Sequence, residues 1–270
     1  MKKITSILIL ALTLTLAGCS SAPSKTASNS GGSSKPADIQ KIIDRGTLKV
    51  GVKVDVPKYG YKDPSTGKIE GFEIDIAKAV AKKILGDENK VDLQAVTAKT
   101  RGPLLDSGEI DMVAATFTVT EERKKSYNFS DPYFTDGVGL LVKKDAGVSS
   151  FKDLNGKKIG VAQSSTTKKA LQEEADKQGI KVTFSEFASY PEIKTALSSG
   201  RVDCFSVDGA ILLGYLDDNT KILSDKFSPQ NYGIASKKDN TELAKVINET
   251  ITEMKSSGDL QKLIDKWGLK

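Results

Sequence analysis

The sequence predicts an α/β protein of two similar lobes, each a mostly parallel sheet flanked by helices, with two crossover strands joining the lobes. Three observations carry this. Apolar residues switch repeatedly between a period of two and a period near four, as strands alternating with helices require. The pattern Leu105-Asp-Ser-Gly-Glu-Ile-Asp111 returns as Leu197-Ser-Ser-Gly-Arg-Val-Asp203, which favours a duplicated unit, although a local helix stop at each Gly would also suit it. Two extended segments, Gly137 to Lys143 and Asn231 to Ser236, follow the two series and suit a chain crossing between units.

In chain order, Lys2 and Lys3 precede the uncharged stretch Ile4 to Leu16, which closes in Leu16-Ala-Gly-Cys19. As a helix that stretch would reach roughly 20 Å, against the ~30 Å hydrocarbon core of a bilayer, so residues 1–18 read as a cleaved signal peptide. The small residues before Cys19 match a lipobox. The mature chain is therefore expected to begin at a diacylated Cys19 that holds it to membrane lipid on the extracytoplasmic face. Residues 19–37, rich in Ser, Gly, Ala and Thr, read as a flexible tether. The formal charge of +5 includes Lys2 and Lys3, which leave with the signal, and no basic cluster points to nucleic acid. A monomer is expected.

The globular part divides into lobe 1, residues 38–140 plus 234–270, and lobe 2, residues 141–233. Lobe 1 opens with a strand from Leu48 to Val54, then a helix on Phe72, Ile76, Val80 and Ile84. Strands at Val91 to Val96 and Asp111 to Ala115 follow, with a short helix from Arg101 to Asp106 between them. Lobe 2 repeats the alternation: strand Lys158 to Ala162, helix Thr167 to Gln178, strand Lys181 to Ser185, helix Pro191 to Ser198, strand Val202 to Val207. Two amphipathic helices, through Leu243 to Met254 and Leu260 to Trp267, are expected to return to lobe 1.

Ligands of open α/β sheets bind beyond the carboxyl ends of the strands, which here are Lys53, Thr116, Gln163 with the following Ser-Ser-Thr-Thr, and Asp208. The chain has no histidine, the commonest general base and metal ligand. It also lacks a G-x-G-x-x-G helix opening, a Walker lysine loop, a G-x-S-x-G elbow and a metal-ligand cluster. No catalytic residue, cofactor or metal is expected. With Cys19 lipidated, Cys204 has no intrachain partner and reads as a buried thiol.

Four stretches carry a family resemblance: Thr97-Ala-Lys-Thr-Arg101-Gly-Pro-Leu-Leu-Asp-Ser-Gly108, Ala115-Thr-Phe-Thr118-Val-Thr-Glu-Glu-Arg123, Tyr127-Asn-Phe-Ser-Asp-Pro-Tyr133 and Gly160-Val-Ala-Gln-Ser-Ser-Thr-Thr167. From about residue 38 onward the chain resembles the polar amino-acid solute-binding proteins of ABC importers (bacterial extracellular solute-binding family 3), and within them the aspartate/glutamate receptors. The resemblance implies a type II periplasmic-binding-protein fold that closes on its ligand and is read by an ABC permease. It implies that Arg123 clamps the ligand α-carboxylate, helped by Thr118 and the N–H groups of Thr166 and Thr167, and that Asp208 receives the α-ammonium. A guanidinium fork and a helix start both suit a carboxylate. By the same resemblance Arg101, assisted by Lys53, meets a side-chain carboxylate, and Tyr59 and Tyr190 line the cleft. Thr116 and Ser165 complete the expected contacts. Local alternatives are an N-cap for Ser165 or Thr166, a surface helix arginine for Arg123, a solvated Lys53, and ordinary packing for the tyrosines. Ser164-Ser165 also departs from the Gly-Ser or Gly-Thr of many relatives.

Counting Arg101, Arg123 and Lys53 against Asp208 gives a site charge of +2, which implies aspartate or glutamate as ligand. Glutamine or another polar amino acid is the alternative. An enzyme of dehydratase type on the same fold is the remaining one.

Overall fold

A computed structural model of the protein describes residues 36–269, so the signal peptide, Cys19 and most of the tether lie outside the described residues. Helix α1 (Ala37–Arg45) stops at Gly46, whose φ of 72° is cheap only for glycine. Strand β1 (Leu48–Val52) follows. A three-stranded antiparallel sheet, β2 (Asp55–Val56), β3 (Gly60–Lys62) and β4 (Ile69–Glu70), then leads into α2 (Phe72–Leu85). The chain continues through β5 (Val91–Ala95), α3 (Arg101–Ser107), β6 (Met112–Ala114), α4 (Glu121–Ser126) and β7 (Tyr127–Phe129). The long strand β8 (Phe134–Lys143) leads to β9 (Lys158–Ala162), α5 (Thr167–Gln178), β10 (Thr183–Phe187), α6 (Tyr190–Ser198), β11 (Cys204–Asp208) and α7 (Gly209–Leu212). Last come β12 (Thr220–Ile222), β13 (Phe227–Tyr232), β14 (Ala235–Lys237), α8 (Thr241–Ser256) and α9 (Asp259–Lys266).

The strands assemble into two main sheets, one per lobe. In the first, ordered β5-β1-β6-β14-β7, the strands β5, β1 and β6 run parallel, Val52 lying opposite both Ala95 and Ala114. In the second, ordered β10-β9-β11-β8-β12, only β10, β9 and β11 are parallel. Both sheets are thus more mixed than expected. The crossover strands are the reason: β8 pairs antiparallel with β11, and β14 with β6, because each brings the chain back from the other lobe. The second crossover is also split between β13 and β14 at Gly233, where a Cβ would lie 2.8 Å from the Val119 side chain.

The repeated heptapeptide adopts one geometry twice. Gly108 and Gly200 have φ of 74° and 75°, and each N–H returns to the leucine three residues back, at 3.1 Å in both cases. Asp111 then accepts the N–H of Lys49, and Asp203 that of Lys158, again at 2.8 Å in both. Each Asp thereby ties a helix-to-strand corner to the first residue or two of the adjacent strand. The helix-stop role of the glycines and the duplicated geometry both hold.

The first core packs Leu48, Val50, Ile74, Ile76 and Val80 against Ile247 and Ile251 of α8, so the C-terminal helices do return to lobe 1. The second packs Val138, Leu140, Phe151, Ile159, Val161 and Leu171 around Cys204, a free, buried thiol whose pKa burial pushes up. Among the described residues no helix is long and apolar enough to cross a membrane.

Candidate functional site

The carboxyl ends of β1, β6, β9 and β11 meet between the lobes, and burial there is severe for charged side chains. Lys53, the residue after β1, is 2 % exposed. Its Nζ lies 2.8 Å from Asp55 Oδ1 and 4.4 Å from the centre of the Tyr190 ring in lobe 2. Desolvation lowers its pKa, and Asp55 opposes the shift. It is therefore not the solvated strand-end lysine that the local sequence allowed.

Arg101 opens α3 and is also buried. Its Nη1 donates to Ala115 O at 2.6 Å and Thr116 O at 3.1 Å, its guanidinium lies 4.0 Å over Phe117, and its Nε has no partner among the described residues. Thr116 sits in the left-handed region at φ 45°, a strained conformation for a β-branched residue, and its Oγ1 is unpaired. What holds it there is a residue absent from the sequence reading. Glu73, fully buried in the first turn of α2, takes the Thr116 N–H on Oε1 at 2.6 Å and the Tyr133 hydroxyl on the same oxygen. Burial pushes its pKa up, while Tyr133, Thr116, Arg101 and Lys53 pull the other way.

Arg123 is half-buried rather than a free surface residue. Nη1 donates to Thr118 O at 2.7 Å, and Nη2 crosses to lobe 2 and donates to Ser164 O at 3.1 Å. Its guanidinium lies 4.6 Å over the Phe117 ring that also carries Arg101. Burial, reinforced by the Arg101 charge, pushes its pKa down to about 9, so an anion would relieve both cations. Ser164 has φ 60°, a left-handed conformation that a glycine would adopt at less cost. The Ser165 hydroxyl turns back to Ala162 O at 2.7 Å, and Thr166 stands at the N-cap position of α5 without making a side-chain capping bond. The N–H groups of Thr166 and Thr167 reach no protein acceptor among the described residues.

Asp208 ends β11, buried, with Oδ2 receiving the Tyr232 hydroxyl at 2.5 Å; burial pushes its pKa up to about 7. Gln230, a second residue missed from sequence, accepts from Thr118 of lobe 1 at 2.9 Å and from Thr166 of lobe 2 at 2.7 Å. Both expected threonine hydroxyls are thus engaged with the crossover strand. Tyr59 departs furthest from expectation: its ring packs edge-on against Phe72, Phe134 and Tyr232 with centroids 5.7–6.1 Å away, a core position, with only its hydroxyl unpaired. Tyr190 is buried and faces Lys53 across the cleft. The lobes also touch at the rim, where the Tyr215 hydroxyl donates to Asp55 O at 2.6 Å and a Cβ on Gly214 would lie 2.8 Å from Pro57.

The geometry gathers two guanidiniums, an uncapped helix start, a carboxylate and unpaired buried polar atoms between two lobes, the arrangement for holding a small zwitterion. Comparison with known proteins agrees. The family model for bacterial extracellular solute-binding proteins, family 3, matches residues 48–270. A glutamine-binding protein of Geobacillus stearothermophilus is 46 % identical over 92 % of this chain and 96 % of its own. A glutamate/aspartate import solute-binding protein of Escherichia coli is 29 % identical over 98 % of this chain and 88 % of its own. The solved structure of an ancestral arginine-binding protein bound to glutamine superposes with a TM-score of 0.73 at 43 % identity, covering 83 % of this chain and 98 % of that one. The chain belongs to the bacterial extracellular solute-binding proteins, family 3: it is an amino-acid receptor for ABC import with the two-lobe, type II periplasmic-binding-protein fold.

Proposed function

We propose that the receptor takes a neutral polar amino acid, glutamine foremost, with Arg123 on the α-carboxylate and Asp208 on the α-ammonium. The 2.8 Å Lys53–Asp55 pair carries this reading. The count of +2 made from sequence left Asp55 and Glu73 out. With Asp55 cancelling Lys53, and Asp208 and Arg123 used by the zwitterion, only Arg101 faces the side chain. Its Nη1 is already held by two carbonyls, so its free Nε suits a carboxamide oxygen. The Geobacillus relative supports the same choice. Calorimetric titration of the purified full chain should give glutamine at least about tenfold tighter binding than glutamate. Tenfold tighter binding of glutamate or aspartate would replace this reading with the acidic one.

The receptor acts as a binding protein, not an enzyme: every strongly buried charge in the cleft has a binding role or a partner. Ligand contacts on both lobes favour closure, and the closed form is what a permease reads. We place the chain at the outer face of the cell membrane through a lipidated Cys19. Two acyl chains at about 0.8 kcal/mol per buried CH₂ suffice for that. Cys19→Ala is expected to move the protein from the membrane to the soluble fraction with ligand affinity unchanged; a variant still in the membrane fraction would refute the anchor.

A further inference from the structure

We propose that Glu73 is a positioning residue that sets whether the side-chain end of the cleft accepts a carboxamide or a carboxylate, acting on Arg101 through a single peptide group. This rests on the reading that Arg101 faces the ligand side chain. The Ala115–Thr116 peptide lies between the two charges: its carbonyl accepts Arg101 Nη1 at 2.6 Å, and its N–H donates to Glu73 Oε1 at 2.6 Å. Acid, peptide dipole and guanidinium thus stand in one hydrogen-bonded line. Glu73 is fully buried, and its Oε2 has no protein partner among the described residues, so bulk solvent does not screen it. Lys53, the other cation that acts on it, is already paired with Asp55.

Two states of the site follow. With Glu73 charged, Arg101 is balanced from behind, and a ligand carboxylate would bring a surplus negative charge into a dry cleft. With Glu73 neutral, Arg101 is an uncompensated buried cation, and a carboxylate becomes its natural partner. Burial favours the neutral carboxyl, whereas the Tyr133 hydroxyl, the Thr116 N–H, Arg101 and Lys53 favour the charged one. The Tyr133 hydroxyl is therefore the adjustable element. A donor that touches Glu73 rather than Arg101 thereby controls what the Arg101 end of the site discriminates.

The experiment measures the ratio of glutamate to glutamine affinity in the full chain carrying Glu73→Gln, which keeps the shape and an acceptor for Thr116 while removing the charge. The ratio is expected to move toward glutamate by roughly tenfold or more, whichever amino acid the unmodified protein prefers. Tyr133→Phe, which loses only a hydroxyl, should move it the same way by a smaller factor and serves if Glu73→Gln fails to fold. In an Arg101→Gln background the shift from Glu73→Gln should vanish. A folded Glu73→Gln protein whose ratio stays within about twofold would reduce Glu73 to a prop for the Thr116 turn and overturn the proposal. A shift that persists without Arg101 would overturn the route through it. A parent protein that prefers glutamate would instead refute the glutamine reading while leaving the direction of the shift as the test of Glu73.

Discussion

Arg123→Ala is expected to abolish measurable binding of every amino acid, whatever its side chain. The α-carboxylate is common to all of them, and removing one member of a buried charged pair costs about 3–5 kcal/mol, a factor of roughly a hundred to several thousand. The variant also loses the bond from Nη2 to Ser164 O that joins the lobes. Its fold should survive, because α4 buries no side chain of its own. Calorimetry against glutamine, glutamate and arginine checks this, with a melting curve to confirm folding. Affinity for any of them within tenfold of the parent would remove Arg123 from the α-carboxylate. Arg101→Ala is a poorer probe, since Arg101 also holds the carbonyls of Ala115 and Thr116, and its loss would disturb the strained turn for all ligands.

Asp208→Asn should cost a similar amount, and the pH dependence identifies why. The carboxyl, pushed up to about 7 by burial, must be ionised to receive an ammonium. A raised pKa means that the proton returns as pH falls through that value. Affinity should therefore be nearly level above pH 7 and fall by up to about tenfold per unit below it. The chain has no histidine, the side chain whose ordinary pKa lies in that window. Asp208→Asn should bind weakly and without this slope. A parent protein whose affinity is flat from pH 5 to 8 would show either that Asp208 stays ionised throughout or that it does not receive the ligand amine, and unchanged affinity in Asp208→Asn would establish the second.

The order of strands and helices was legible because burial imposes its period directly on the sequence, as in β9 and α5, whose observed limits match those read from it. Strand ends followed from the same periods, so Lys53, Thr116 and Asp208 were found. Glu73 was not, since an acidic residue in the first turn of a helix is ordinarily explained by the helix dipole. Only its placement between Phe72 and Ile74, on a face that is apolar elsewhere, hinted at burial. The site charge was misjudged for a related reason: Asp55 stood two residues from Lys53, but nothing in the spacing says whether the two side chains meet. Tyr59 went to the core because Phe72, Phe134 and Tyr232, distant in sequence, surround it. Gln230 sits on a strand whose register across both lobes no local pattern reports.

The contacts at the rim, from Tyr215 to Asp55 and from Gly214 to Pro57, touch neither arginine nor Asp208. Of the two, the approach of Gly214 to Pro57 meets no charged group of the cleft, so whatever it adds to closure it adds for every ligand alike. Tyr215 is different, because it holds Asp55 and lies edge-on to Tyr190, and is thereby tied to the Lys53 end of the site. A lineage moving from a nutrient-poor to a nutrient-rich habitat can slide its working concentration range by substitution at position 214, with its choice of nutrient preserved.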